Sequence, residues 1–146
     1  MQKILLPIDG SKPSEKAGKY AISDLGLKVA EIIVLYVIDT SYLESLPQKD
    51  LYDELKKELK AEGEITLEHF KQKLEDNQCE GKCTNVNFIP LIKEGKPAEV
   101  ILKTIKEENI DHVIMGKSGK HGIEKLVLGS TTEKVVRYAE VPVSVI

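Results

Sequence analysis

Arginine is nearly absent: Arg137 is the one arginine in 146 residues, against 24 aspartates and glutamates. Even with the lysines the formal net charge is -3 at pH 7, with a pI near 5.7. Nucleic acid is disfavoured as the main partner, because holding a phosphate backbone takes a basic surface. Long apolar runs are also missing. The longest fall far short of the roughly 20 residues that cross a bilayer, so no membrane segment is expected. The opening MQKILLPIDG has one Lys, a short apolar run and then Asp9. It reads as a first strand and not as a secretory leader, and a cytoplasmic protein is expected.

Cysteine is scarce as well. Cys79 and Cys83 sit in NQCEGKCTN without the companion Cys or His that a four-ligand zinc site requires. Reduced surface thiols and a local disulfide remain the open alternatives. His69, His112 and His121 are scattered, and none stands in an H-E-x-x-H pattern. No metal site built from protein ligands alone is expected. Repeats, low-complexity tracts and linkers are absent too, so residues 1–146 form one domain, burying roughly two-thirds of the surface of the unfolded chain.

What is present alternates between two patterns. Lys3 to Ile8, Glu31 to Ile38, Asn85 to Ile92, Asp111 to Met115 and Val141 to Ile146 are short apolar runs, as in strands covered on both faces. Between them lie helical patterns. Ser11 is placed to cap the first, with Pro13 in its first turn; Ala17, Tyr20, Ala21 and Leu25 recur at helical spacing, and Gly26 supplies the stop. Thr40 to Lys49 reads as a connecting loop. A long charged helix follows from about Asp50 to Asp76, with an apolar stripe of Leu51, Leu55, Leu59, Leu67, Phe70 and Leu74 that Gly63 interrupts at a cost of about 1 kcal/mol. Pro97 opens a helix whose buried side is Ala98, Ile101, Leu102 and Ile105, and a last helix runs from Ser130 to Ala139. Five strands alternating with four helices predict an α/β fold: a doubly wound, five-stranded parallel sheet with helices on both faces.

The segment DHVIMGKSGKHGIEKLVLGSTTEKVVR carries the functional signal. A strand breaks at Gly116 and Gly119, and Gly129-Ser130 heads a helical pattern. Glycines let backbone N–H groups come close to a ligand, and the first turn of a helix offers unpaired donors and a positive dipole end, so this suits an anion such as phosphate. Ser130 with Glu133 three residues later fits a capping box. Two common nucleotide motifs are missing. No G-x4-G-K-[ST] occurs, and no G-x-G-x-x-G follows the first strand.

The G-x2-G-x9-G-S spacing resembles the nucleotide-binding signature of the universal stress protein family. The P-x-D-x-S after the first strand and the Gly95-x-Pro97 turn resemble it also. The resemblance implies strand order 3-2-1-4-5, in an adenine nucleotide alpha hydrolase-like fold. That order reverses the chain between strands one and four, where sheets of this kind bind ligands at the strand carboxyl ends. It further implies ATP, with its phosphates on Gly116, Gly119, Gly129, Ser130 and the Thr131 backbone, and its adenosine end at Pro7, Asp9 and the Val37 backbone. Asp9 stands either near a phosphate-bound magnesium ion or as a turn aspartate capping the first helix with Ser11. Where many family members carry a small residue and then Arg or His inside G-x-x-G, this chain has Lys117-Ser118.

The function expected on this basis is a nucleotide-dependent sensor or adaptor in stress response, acting on a protein partner that the sequence does not name. Two alternatives stand beside it: a slow ATP hydrolase using the same pocket, and a dimerisation module without nucleotide. Phosphoryl transfer needs a group orienting the attacking water and cations on the developing charge. Only His121 and Glu124 could orient water in this segment, and Arg137 lies two turns into its helix, so binding and not turnover is expected. Val141 to Ile146 reads as an apolar edge strand, and a homodimer through it is expected.

Overall fold

The computed structural model describes residues 2–23, 29–45, 48–79, 87–118 and 128–146. Strand β1 (Gln2–Ile8) leads into α1 (Lys12–Ser23), and β2 (Val29–Asp39) into the short α2 (Thr40–Leu43) and the long α3 (Lys49–Cys79). Then come β3 (Asn87–Gly95), α4 (Pro97–Glu107), β4 (His112–Met115), α5 (Ser130–Tyr138) and β5 (Val143–Val145). The strands form one parallel sheet in the order β3-β2-β1-β4-β5, as the resemblance implied.

Strict alternation along the central strands divides the core in two. Ile4, Leu6 and Ile8 of β1, with Ile32, Val34 and Tyr36 of β2, meet Ala17 and Ala21 of α1 and Leu67 and Phe70 of α3. Leu5, Ile33 and Leu35 point the other way, with Val113 and Met115, onto Ala98, Ile101 and Ile105 of α4 and Val135 of α5. Both faces are therefore dry, which is why these strands read as continuous apolar runs. Leu5, Leu6 and Leu35 are fully buried, and cutting any of them to Ala is worth about 2–5 kcal/mol of stability.

Four local expectations are corrected. Thr40 to Lys49 is not all loop: Asp39 ends β2 and accepts from the Ser41 N–H at 3.0 Å, capping α2, whose Leu43 is fully buried. Gly63 does not interrupt the apolar stripe of α3, since it is itself buried against the sheet. A Cβ there would lie 2.6 Å from Cδ1 of Tyr36, so the glycine lets the helix backbone reach the sheet. Leu51 is exposed, since Tyr52, Leu55 and Leu59 make the apolar stripe at the start of α3. The third strand continues to Gly95 because β2 continues beside it to Asp39. Leu25 and Gly26, the proposed end of the first helix, lie outside the described residues, as do Cys83 and the Cys79 side chain.

Two features of register shape the carboxyl end of the sheet. Strands β1 and β4 pair only at Ile4 with His112 and Leu5 with Val113, although both run further. Pro7 has no N–H to give to a ladder, which suits a strand leaving its neighbour. On the other side β1 pairs with β2 as far as Ile8 and Tyr36, whereas β2 and β3 stay paired to Asp39 and Gly95. Val37 to Asp39 thus run beyond the end of β1 at the carboxyl end of the sheet.

Candidate functional site

The loop after β1 is held by its own side chains. Asp9 Oδ1 accepts from the Ser11 N–H at 2.9 Å, across Gly10 with φ +82, a conformation glycine adopts at no steric cost. Ser11 Oγ accepts from the Ser14 N–H at 3.4 Å, and Ser14 Oγ accepts from the Asp9 N–H at 3.3 Å. Ser11 is the cap of α1, as expected from sequence. Asp9 holds the turn, the second of its two expected roles, and is half-buried.

The loop after β4 is docked directly onto this turn. A Cβ on Gly116 would lie 2.6 Å from the carbonyl carbon of Pro13, so glycine is required here by the first turn of α1. The Gly116 carbonyl accepts from Thr132 Oγ1 at 2.8 Å, in a bond that is fully buried. The Lys117 carbonyl accepts from the Gly129 N–H at 2.8 Å, and the Lys117 N–H donates to the Ile146 carbonyl at 3.0 Å. The two loops, about a hundred residues apart in sequence, therefore form one assembly.

Helix α5 begins at Ser130 with Gly129 as its cap residue, and Gly129 has no side chain to satisfy the first N–H groups. The expected capping box is not formed. The box requires Ser at the cap and Glu three residues on, and here the third residue after the cap is Thr132, turned toward Gly116. Glu133 instead meets Arg137 one turn later at 2.7 Å. The Ser130 hydroxyl is exposed, and among the described residues it has no hydrogen-bond partner. The N–H groups of Ser130 and Thr131 open the helix without an intrahelical acceptor, which makes this end a place for an anion.

Of the residues expected at the site, Asp9, Gly116, Gly129, Ser130 and Thr131 belong to the two docked loops and the helix they seat. Pro7 lies on β1 beside Leu35 of β2, and Val37 lies on β2 beside Lys93 of β3, past the last pair of β1 with β2. Gly119 lies outside the described residues, with Lys120, His121 and Glu124. A cleft of ≈ 480 Å³ lies between α1 and α3, lined by Gly10 and Ser14 on one side and by Thr66, His69 and Phe70 on the other. Among the described residues no group of three or more His, Cys, Asp or Glu could hold a metal ion.

The sequence model of the universal stress protein family matches residues 1–146. The chain belongs to the universal stress protein family. The universal stress protein MJ0531 of Methanocaldococcus jannaschii is 33% identical over 145 residues, covering 99% of this chain and 81% of that protein. The solved structure of MJ0577 from the same organism matches with a TM-score of 0.84 at 34% identity, over 99% of this chain and 94% of that one. Two more distant universal stress proteins share the fold at TM-scores of 0.66 and 0.67. One is in complex with cAMP, at 18% identity over 99% of this chain and 95% of its own. The other, from Arabidopsis thaliana with AMP bound, is 20% identical over 100% of this chain and 91% of its own.

Sequence reasoning missed two residues of this universal stress protein's loop assembly. Pro13 was read only as a helix starter, yet its carbonyl is what Gly116 packs against. Thr132 was passed over as a polar helix residue, and it is 3% exposed. The available signal was its place on the same helix face as Val135, at the spacing that buries a residue.

Proposed function

We propose that this universal stress protein binds ATP with magnesium in the opening between β1 and β4, and works as a nucleotide-dependent sensor or adaptor. The observation that carries the reading is the docking of the Gly116-Lys117 loop against α1 and α5 together. It gathers a helix end with unspent N–H donors and the Asp9 turn at the carboxyl ends of β1 and β4. Phosphates suit the N–H groups of Ser130 and Thr131 with Gly129, and the family spacing adds Gly116 and Gly119, while the adenosine end suits Pro7, Asp9 and the backbone of Val37. Magnesium would be held mostly by phosphate oxygens, with Asp9 of the docked turn as the carboxylate offered beside them.

Turnover is not the expected activity. Arg137 is engaged by Glu133, and helix N–H donors supply no group to orient water. Hydrolysis should fall orders of magnitude below the roughly 1–10³ s⁻¹ usual for enzymes. A rate in that range, abolished by His121→Ala or Glu124→Gln with ATP affinity kept, would make the hydrolase reading the better one.

The homodimer reading has its own support. Of the two sheet edges, β3 carries Pro90 in its middle, a residue that blunts an edge, whereas β5 is short, half-buried and apolar. Val136 and Tyr138 of the adjoining α5 are exposed. A second copy pairing along Val141 to Ile146 would cover this surface. No helix among the described residues is long and apolar enough to cross a membrane.

The direct test is to denature freshly purified protein, identify any nucleotide released, and titrate the emptied protein with Mg-ATP in a calorimeter. Saturable binding with one site per chain is expected. The absence of both released nucleotide and binding at millimolar Mg-ATP would overturn the reading.

A further inference from the structure

Lys117 is bonded on both sides through its backbone. Its carbonyl seats the N–H of Gly129, the cap of α5, and its N–H donates to the Ile146 carbonyl, while Ile146 N–H donates to the Met115 carbonyl at 3.0 Å. The last rung of the β4–β5 ladder is therefore made by the residue that also holds the start of the anion-binding helix. Strand β5 is only Val143–Val145, paired to Val113, Ile114 and Met115. A further tie, His112 Nε2 with Ser144 Oγ at 2.8 Å, holds its middle. In so short an edge strand the Lys117 rung is one of two bonds that hold Ile146, and without it the end of the ladder hangs on the Ile146 N–H bond to Met115 alone and frays more readily.

We propose that ligand occupancy at the start of α5 and pairing of β5 with a second copy are coupled through the Lys117 peptide, each tightening the other. The inference rests on the ATP and homodimer readings above and adds a linkage between them. The two states are the rung made and the rung frayed. A phosphate on the first N–H groups of α5 fixes Gly129, and with it Lys117, so it favours the made state. A second copy favours the same state, because a strand extended to Ile146 offers a longer edge to pair with. Any ligand that prefers one of two states shifts the population toward it, and the coupling is reciprocal.

The experiment measures the dimer dissociation constant by sedimentation velocity, with and without saturating Mg-ATP. It then measures ATP affinity well below and well above that constant. The expected result is a dimer tighter by roughly fivefold or more with Mg-ATP and, with two sites per dimer, ATP affinity per site raised in the dimer by about the square root of that factor. Residue-resolved amide exchange on the dilute monomer should show the Lys117 N–H protected on adding Mg-ATP. ATP binding with a dimer constant changed less than twofold, or with Lys117 exchange unchanged, would overturn this inference alone. Absence of ATP binding would overturn the nucleotide reading, and a monomer at every concentration with and without Mg-ATP would overturn the dimer reading; each would take the coupling with it.

Discussion

Thr132 Oγ1 lies 2.8 Å from the carbonyl oxygen of Gly116, and this buried bond fastens the start of α5 to the end of β4. Thr132→Val keeps the shape and removes the donor, leaving a buried carbonyl unsatisfied. The expected loss is about 1–3 kcal/mol of stability in urea unfolding. If Thr132 positions the phosphate-binding turn, ATP affinity should fall as well, whereas a role in stability alone would leave it unchanged under conditions where the variant is folded.

Ser130 allows a test in which helix stability and ligand binding move in opposite directions. It is the first residue of α5 and exposed, so Ser130→Asp places a negative charge at the positive end of the helix dipole. The helix should be unaffected or stabilised by about 0.3–1 kcal/mol. ATP binding should drop at least tenfold in calorimetry, since the new carboxylate occupies the phosphate's place. Undiminished affinity would remove Ser130 from the site.

Gly63 is expected to reverse the usual helix rule. Replacing glycine by alanine inside a helix ordinarily stabilises by about 1 kcal/mol. Here the new Cβ would meet the Tyr36 ring, so Gly63→Ala should instead destabilise by about 1–3 kcal/mol. In a Tyr36→Ala background the cost should vanish, and a double-mutant cycle in urea would measure the coupling.

One surface ion pair predicts a pH dependence. The hydrogen bond from Lys93 Nζ at 3.0 Å, aided by the Lys93 charge and by Lys103, holds the Glu107 carboxyl below its ordinary 4.5. A carboxylate more acidic in the folded state stabilises it above the unfolded pKa, and the contribution is lost as pH falls through the folded value. Glu107→Gln should therefore be less stable than the parent at pH 7, with the gap closing below pH 4.5 in parallel denaturation curves. A gap that persists undiminished at low pH would mean that shape and not charge is at work.

The edge of β5 gives the last prediction. Val145→Pro removes the N–H from a strand paired at Met115 and should leave a folded monomer in light scattering at micromolar protein. A dimer that survives the change would place the interface elsewhere.

Much of this protein was decided locally and could be read from its residues. Apolar runs such as Ile32 to Leu35 become strands covered on both faces because no other element buries both sides of so short a segment. Ser11 caps α1 and Pro97 opens α4 because their backbone preferences act within one turn. The positions of Gly116, Gly129 and Ser130 were legible as a family spacing. What only the tertiary structure decided are the roles that depend on a residue far away in the chain. Gly63 is glycine because Tyr36 lies under it, and Gly116 because Pro13 does. Thr132 is buried because a carbonyl sixteen residues earlier accepts from it. The start of α5 at Ser130, and not after it, follows from the Gly129 N–H bonded to Lys117, which left no capping box to form. Local sequence sets backbone preference and the pattern of burial; the steric limits and the partners of individual polar groups arise only when strands distant in the chain become neighbours.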